Sequence, residues 1–167
     1  TLDYLNEKGY DTFGIEPSTE HSKFSERAGN IIFSNIDDIS LQFDNFIHYY
    51  VLEHIVEPKE FLIKCLNILK PNGHFIFEIP NRNDALFLMY DNSPYKDFIL
   101  QKMHLFYFSE KSIRFLLNQL PINYKIFKGQ RYGINNHLNW LIFGKPGELN
   151  IPISKKTNNN YKKFLKK

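Results

Sequence analysis

The sequence has very little cysteine, and this excludes several classes of protein. Cys65 is the only cysteine among 167 residues, so neither a disulfide framework nor a thiolate metal cluster can form within the chain. No metal site is predicted. Cys65 lies on the apolar side of a predicted helix and is expected to belong to the core. A chain without disulfides is typical of the cytoplasm, where we expect this protein.

Long hydrophobic runs and acidic residues near the C-terminus are also lacking. No apolar stretch approaches the roughly 18 residues of a membrane-spanning helix, so no membrane span is expected. Residues 155–167 carry six lysines and no acid, so the rest of the chain has a net charge of −3 although the whole carries +3. A mildly acidic body argues against a nucleic-acid partner. We predict a domain over 1–150 and a basic, flexible tail over 151–167.

What the sequence does contain is an alternation of apolar strands and amphipathic helices. Such alternation is typical of an α/β fold with a mostly parallel sheet and helices on both faces. Two later strand-like runs, near 123–128 and 138–143, have no helix between them, so we expect an antiparallel C-terminal strand. His137, in the polar loop between those runs, is expected at the surface. The other predicted strands lie at 11–16, 30–33, 43–50 and 74–79, and the main helices at 58–69 and 110–119.

Glu16 ends the first predicted strand. In nucleotide-binding α/β folds, an acid after the second strand accepts hydrogen bonds from the ribose hydroxyls. The glycine-rich loop of such folds lies about 20 residues before that acid. Counting back from Glu16 places this loop, and the first strand before it, upstream of Thr1. We therefore expect a gap or a neighbouring segment between strands 11–16 and 43–50, and no direct pairing.

Three blocks of sequence resemble one family of enzymes. The blocks are GYDTFGIEPS, FDNFIHYYVLEHIVEPKEFLIKCLNILKPNGHFIFEIPN and HLFYFSEKSIRFLLNQL, and together they span roughly residues 1–120. The most specific block combines Leu-Glu-His after a strand, a proline-led helix and a Lys-Pro-x-Gly turn. In order and spacing the blocks resemble class I S-adenosylmethionine-dependent methyltransferases, which have a Rossmann-like fold. The later segment QRYGINNHLNWLIFGKPG is similar to a tail of members associated with surface-glycan biosynthesis.

The resemblance implies S-adenosylmethionine as the cofactor and assigns residues to it. Glu16 would hold the ribose, and Asn35 would accept a hydrogen bond from the adenine amino group, where the family usually has an aspartate. Ile36 would offer a backbone amide to the ring. Tyr49 would lie beside the sulfonium, which an aromatic face attracts. The implied cofactor residues are Glu16, Pro17, Asn35, Ile36 and Tyr49.

The acceptor of the methyl group is expected to be an oxygen of a small molecule or glycan precursor. A hydroxyl acceptor must lose its proton, and the imidazole of His54 is suited to remove it near pH 7. Arg131 has the guanidinium fork that binds phosphate or carboxylate. We expect one pocket at the carboxyl ends of the strands, formed by Tyr50, His54, Asn81, His104 and Arg131.

Two other functions stay open, as does the oligomeric state. A nicotinamide-dependent oxidoreductase would use the same ribose acid, but the Leu-Glu-His block and the Lys-Pro-x-Gly turn weigh against it. A non-catalytic scaffold with a degenerate or truncated methyltransferase fold is the alternative from another class.

Because no glycine-rich loop is found in the chain, we expect weak binding of S-adenosylmethionine by these 167 residues alone. Such a loop supplies backbone amides to the methionine carboxylate, and each charge-assisted hydrogen bond contributes about 1.5–3 kcal/mol. Loss of two such bonds should weaken affinity at least about a hundredfold. Calorimetry on this chain and on a version extended upstream would measure the difference, and equal tight affinity would contradict the expectation.

Overall fold

A computed structural model of the protein describes residues 1–88 and 92–166. The chain divides into two compact units. Unit 1 consists of Thr1–Tyr49 and Glu57–Phe77, and unit 2 consists of Tyr50–Val56 and the chain from Glu78 onward. The helices and strands alternate along unit 1, whereas unit 2 is mainly helical.

The four strands found in the described part of the chain lie in unit 1. Helix α1 precedes β1, helix α2 follows it, and a short 3-10 turn at Ile36–Asp38 leads from β2 towards β3. Pro58 begins helix α3, at the position where a proline costs no helical hydrogen bond. The bounds are α1 Leu2–Glu7, β1 Phe13–Ile15, α2 Thr19–Arg27, β2 Ile31–Phe33, β3 Phe43–Tyr49, α3 Pro58–Asn67 and β4 Leu69–Glu78, whose last residue belongs to unit 2.

Unit 2 contains a second 3-10 turn, at Leu52–His54, and five helices in the part of the chain that is described. Ser109 caps helix α6 by accepting a hydrogen bond from the Ser112 amide, and the Ser112 hydroxyl in turn accepts one from the Ser109 amide. The helices are α4 Ala85–Leu88, α5 Ser93–Ile99, α6 Glu110–Leu117, α7 Ile134–Phe143 and α8 Lys155–Leu165.

The strands pair in parallel, as the sequence predicts. Strands β1 and β2 are parallel, with Phe13 opposite Ile31 and Ile15 opposite Phe33. Strand β3 pairs with β4. A backbone bond joins the start of β3 to Ile68, just before β4, and another joins Tyr50, just after β3, to Glu78 at the end of β4. Both strands therefore run the same way, and the chain has the mixed α/β character of a Rossmann-like fold.

Strands β1 and β3 do not pair with each other, as expected. In the described part of the chain they belong to separate two-stranded sheets. The side chains of Phe13 and Phe43 still meet, with ring centroids 5.4 Å apart. A small apolar cavity of about 40 Å³ lies at this contact, and Ile39, Phe46 and Ile68 are among the residues that line it.

The core of unit 1 forms where α3 covers the strands. Ile36, Cys65 and Ile68 are buried there against the partly buried rings of Phe61 and Phe75. Cys65 is fully buried, which confirms its predicted place in the core. Burial raises the pKa of its thiol to about 12, so the thiol stays protonated and chemically inert.

The predicted antiparallel C-terminal strand is wrong. Residues 138–143 belong to helix α7, and residues 123–128 form neither strand nor helix. A short apolar run such as LNWLIF cannot be assigned to strand or helix by its pattern alone. Gly144 ends the helix with a φ of 60°, a left-handed conformation that glycine adopts without strain. Trp140 is buried on one side of the helix.

The basic C-terminal segment contains a helix. Residues 155–165 form helix α8, with Ser154 as its N-cap, and the predicted flexibility of 151–167 stays a prediction. The hydroxyl of Tyr161 lies 2.7 Å from Nδ1 of His137, and His137 is 2 % exposed, not at the surface. Lys155, Lys156 and Lys163 are exposed on this helix, whereas Lys162 donates a hydrogen bond to the Arg131 carbonyl at 2.6 Å. The boundary predicted at residue 150 stays a prediction.

Within the residues described, no helix has both the length and the apolar character needed to cross a bilayer.

His48 makes the stability of unit 1 dependent on pH. Its ring is buried among Phe61, Phe75 and Phe77, with centroids 5.3–5.8 Å away, and neither ring nitrogen has a hydrogen-bond partner among the described residues. This burial lowers the pKa of His48 to about 4 from an ordinary value of 6.5. Between these values the unfolded chain binds more protons, so stability should fall as the pH falls.

Between pH 7 and pH 4 we expect the contribution of His48 to lower the free energy of unfolding by about 3 kcal/mol. In the variant His48→Phe that part of the decrease should vanish, because phenylalanine does not titrate. Urea denaturation at pH 7 and at pH 4 measures the free energy of unfolding of the wild type and of each variant. His74→Phe removes an exposed histidine and should keep the wild-type dependence; the idea fails if both variants behave alike.

Candidate functional site

The predicted ribose acid and the predicted adenine contact lie at one edge of a sheet. Glu16 directly follows β1, and its amide donates to the carbonyl of Phe33 at the end of β2. Asn35 follows β2 and caps the turn after it, accepting from the amide of Asp37 at 3.1 Å. Because the two strands are parallel and in register, Glu16 and Asn35 share their carboxyl edge.

The surroundings of these residues are those of a surface edge. The Glu16 side chain is 36 % exposed and accepts a hydrogen bond from the Ser18 amide at 2.9 Å. Pro17 is exposed beside it, and Ile36 is buried in the core below. Tyr49 ends β3 with its side chain half-exposed.

The Leu-Glu-His segment forms a buried turn in unit 2. Leu52 and Glu53 are almost completely buried, at 0 % and 1 % exposure. The carbonyl oxygen of Glu53 accepts hydrogen bonds from two backbone amides, Leu105 at 2.8 Å and Phe106 at 3.1 Å. This pair of bonds fixes the loop that carries His104 against the turn that carries His54.

The two histidines predicted to share a pocket are in contact. The rings of His54 and His104 lie edge to face with centroids 4.8 Å apart. Nδ1 of His54 is 2.9 Å from the carbonyl oxygen of Met103, and Nδ1 of His104 is 3.1 Å from that of Ile99. A carbonyl can only accept, so each Nδ1 carries the proton and each neutral ring keeps a lone pair on Nε2.

Glu53 completes this group. The carboxylate is buried and neither oxygen has a hydrogen-bond partner in the part of the chain that is described. Loss of hydration raises the pKa of Glu53, while His54 and His104 act in the opposite direction because a positive charge on either ring favours the carboxylate. The three side chains can each place one oxygen or nitrogen within 4.8 Å of the others.

A second group in unit 2 joins Tyr50 to Arg131 through Glu78. The Tyr50 hydroxyl donates to one carboxylate oxygen of Glu78 at 2.9 Å, and Arg131 donates to the other at 2.6 Å. The guanidinium carbon lies 5.3 Å from the centre of the Tyr50 ring. Arg131 thus has its charge balanced by Glu78 in this structure. Burial and the Glu78 carboxylate raise the pKa of Tyr50 to about 12.

The backbone of Tyr50 is strained, with a φ of 55°. This left-handed conformation costs a residue with a Cβ roughly 1–2 kcal/mol. The Tyr50 amide donates to the Glu78 carbonyl at 2.9 Å, so the backbone and the side chain of Glu78 both hold it. Strained residues cluster at functional sites.

Asn81 has a local structural role. Its side-chain oxygen accepts from the Asn83 amide at 3.0 Å, and its carbonyl accepts from the Asp84 amide. Asn81 thereby shapes the exposed turn before α4. Of the five predicted acceptor residues, the structure brings His54 to His104 and Tyr50 to Arg131, while a common pocket for all five stays a prediction.

Two carboxylates of these groups are not among the residues predicted from the sequence. Glu53 lies inside the Leu-Glu-His block, in which only the histidine is predicted to have a role. Glu78 ends the strand HFIFE, and a charged residue closing an apolar strand at the carboxyl edge of a sheet could have drawn attention to it.

Comparison with known families shows the class of protein to which the chain belongs, and the mixed α/β fold is consistent with it. Residues 1–120 match the family described as "Methyltransferase domain". This match covers well over half of the chain. The protein belongs to the class I methyltransferase family.

A curated relative matches a shorter part of the chain. The ubiquinone biosynthesis O-methyltransferase of Dinoroseobacter shibae is 38 % identical over 48 residues, which are 29 % of this chain and 19 % of the relative. The aligned part therefore spans about a fifth of that protein's length.

The hydrogen bonds of the two histidines predict an unusual tautomer for both. In water neutral histidine prefers its proton on Nε2, whereas His54 and His104 should carry it on Nδ1 because each Nδ1 faces a carbonyl. The ¹⁵N shifts of selectively labelled protein above pH 8 distinguish the two forms. Free histidine in the same buffer serves as the reference for the ordinary tautomer. Nε2–H tautomers at both sites would contradict the geometry.

Proposed function

We propose that this protein transfers the methyl group of S-adenosylmethionine to an oxygen of a small molecule or glycan precursor. The observation that carries the proposal is the match of residues 1–120 to a methyltransferase domain, together with Glu16 and Asn35 at one carboxyl edge of β1 and β2. Members of this family typically use S-adenosylmethionine.

The proposed cofactor contacts follow from the chemistry of the residues at that edge. Glu16 presents a carboxylate to the ribose hydroxyls, and the two oxygens can accept from both hydroxyls. Asn35 presents an amide group to the adenine, and its oxygen already accepts from Asp37. Ile36 and Pro17 are proposed to contact the adenosine through backbone and apolar surface, and Tyr49 to contact the sulfonium with its ring.

The proposed reaction is an in-line displacement at the methyl carbon. The acceptor oxygen forms a bond to that carbon as the carbon–sulfur bond breaks, so S-adenosylhomocysteine leaves with the electron pair. The enzyme mainly aligns the two reactants. His54 is proposed to take the proton of the acceptor hydroxyl, since its Nε2 keeps a lone pair while Nδ1 donates to Met103.

An oxygen acceptor is supported by the relative named above, which is an O-methyltransferase. The half-exposed ring of Tyr50 and the guanidinium of Arg131 offer an aromatic and a cationic contact, which suit a sugar or a phosphorylated acceptor. His104 and the exposed amide of Asn81 complete the proposed acceptor contacts. The single buried thiol of Cys65 fits the proposed cytoplasmic location.

The test of the cofactor assignment is the affinity for S-adenosylhomocysteine, measured by saturation-transfer NMR on protein that includes any residues its gene encodes before Thr1. Glu16→Gln should weaken binding about 10- to 100-fold, because hydrogen bonds to a charged group contribute roughly 1.5–3 kcal/mol. Glu20→Gln alters an exposed glutamate of α2 and should leave the affinity unchanged.

The methyl transfer itself is tested with tritiated S-adenosylmethionine and a panel of sugar phosphates and phenols. Transfer that disappears in Glu16→Gln supports the enzyme. A protein that binds neither S-adenosylmethionine nor its product would contradict the proposal and favour a scaffold.

A further inference from the structure

We infer that Glu53, His54 and His104 form a binding site for one divalent transition-metal ion. The inference goes beyond the proposed function and does not require it. It rests on the ligand geometry, on the buried carboxylate and on the hydrogen bonds behind the two imidazoles.

The three side chains converge closely enough to share an ion. One ligand atom from each lies within 4.8 Å of the others. Ligand atoms about 2.1 Å from a tetrahedral ion lie roughly 3.5 Å apart. The ligand atoms would therefore move closer together on binding, which the partial burial of both imidazoles allows.

The carboxylate of Glu53 is buried without a hydrogen-bond donor among the described residues, and a bound cation would compensate for this. It is 1 % exposed, and within the described residues neither of its oxygens meets a hydrogen-bond donor. A buried carboxylate normally has a charge or donor beside it. The imidazoles of His54 and His104 are its neighbours, and a cation bound between the three side chains would satisfy the carboxylate and both ring nitrogens together.

Hydrogen bonds behind the histidines hold the rings in the orientation of metal ligands. Nδ1 of His54 faces the Met103 carbonyl and Nδ1 of His104 faces the Ile99 carbonyl. Histidine ligands of metals generally donate their other N–H to a carbonyl or carboxylate, which leaves the second nitrogen to the ion. The bonds from Leu105 and Phe106 to the Glu53 carbonyl keep the loop and the turn together without the ion.

The ligand set selects the class of ion. Two imidazoles and one carboxylate suit Zn²⁺, Fe²⁺ and neighbouring first-row ions, whereas Mg²⁺ and Ca²⁺ prefer oxygen ligands. Three protein ligands leave coordination positions open for water or an acceptor oxygen, and both histidines are only partly buried.

A bound ion changes the part His54 plays. The lone pair on Nε2 cannot hold a metal and also accept the acceptor proton. With an ion bound, His54 would serve as a ligand, and the chemistry the ion would supply is the lowering of the pKa of an acceptor hydroxyl. His54 would remove the proton of the acceptor directly only in the metal-free protein.

Titration of metal-free protein with Zn²⁺ in a calorimeter, without cofactor or acceptor, tests the site. We expect one equivalent to bind to the wild type and the affinity to fall at least about 100-fold in Glu53→Gln and in His104→Asn. His74→Asn removes an exposed histidine outside the group and should bind as the wild type does. Co²⁺ in place of Zn²⁺ should give visible absorption bands of a low-symmetry site, and these should be lost in the same two variants.

Circular dichroism tests whether each variant is folded. His104 is only partly buried, so its substitution should disturb core packing less than substitution of the buried Glu53. Zn²⁺ should also raise the melting temperature of the wild type and not that of His104→Asn. Unchanged Zn²⁺ affinity in folded His104→Asn, or equal loss in His74→Asn, would overturn the site. Neither result bears on S-adenosylhomocysteine binding, which is measured separately, so the two proposals can fail independently.

Discussion

The backbone carbonyl of Glu53 holds together the part of unit 2 in which His54 and His104 meet. It accepts from the amides of Leu105 and Phe106, residues about 50 positions further along the chain. The His54 ring binds the same loop in the other direction, at the Met103 carbonyl. Because Leu52 anchors the turn with complete burial, the loop cannot move without exposing an apolar side chain or breaking these bonds. The contact between His54 and His104 depends on this arrangement.

Two buried ionisable groups in the chain have no hydrogen-bond partner among the described residues, and their surroundings differ in kind. His48 lies in a ring of phenylalanines and avoids the cost of burial by staying neutral. Glu53 lies beside two imidazoles. An apolar pocket contains no group that stabilises a charge. A pair of imidazoles can stabilise a carboxylate, either by carrying protons or by binding a cation together with it. For this reason we expect His48 to affect the stability of the fold, whereas Glu53 is a candidate functional residue.

The Tyr50 group shows how the end of one strand can be held by its neighbour. Glu78 binds the Tyr50 amide with its carbonyl and the Tyr50 hydroxyl with its carboxylate, and so maintains a backbone conformation that is unfavourable for tyrosine. The same carboxylate pairs with Arg131. Arg131 lies beyond residues 1–120, the part that matches the methyltransferase domain. The group therefore joins a residue outside the matched domain to two residues within it.

The sequence by itself determined the alternation of strands and helices, the parallel pairing, the burial of Cys65 and the family. These follow from local signals: strand-length apolar runs, the proline that begins α3 and the block around Leu-Glu-His. Only the tertiary structure decided that 138–143 is a helix and that 155–165 is a helix against which His137 is buried. An apolar run or a lysine-rich segment takes its form from what it packs against, and those partners lie far away in sequence. The same holds for Glu53, because its role depends on the proximity of His104, which hydrogen bonds between distant backbone groups establish.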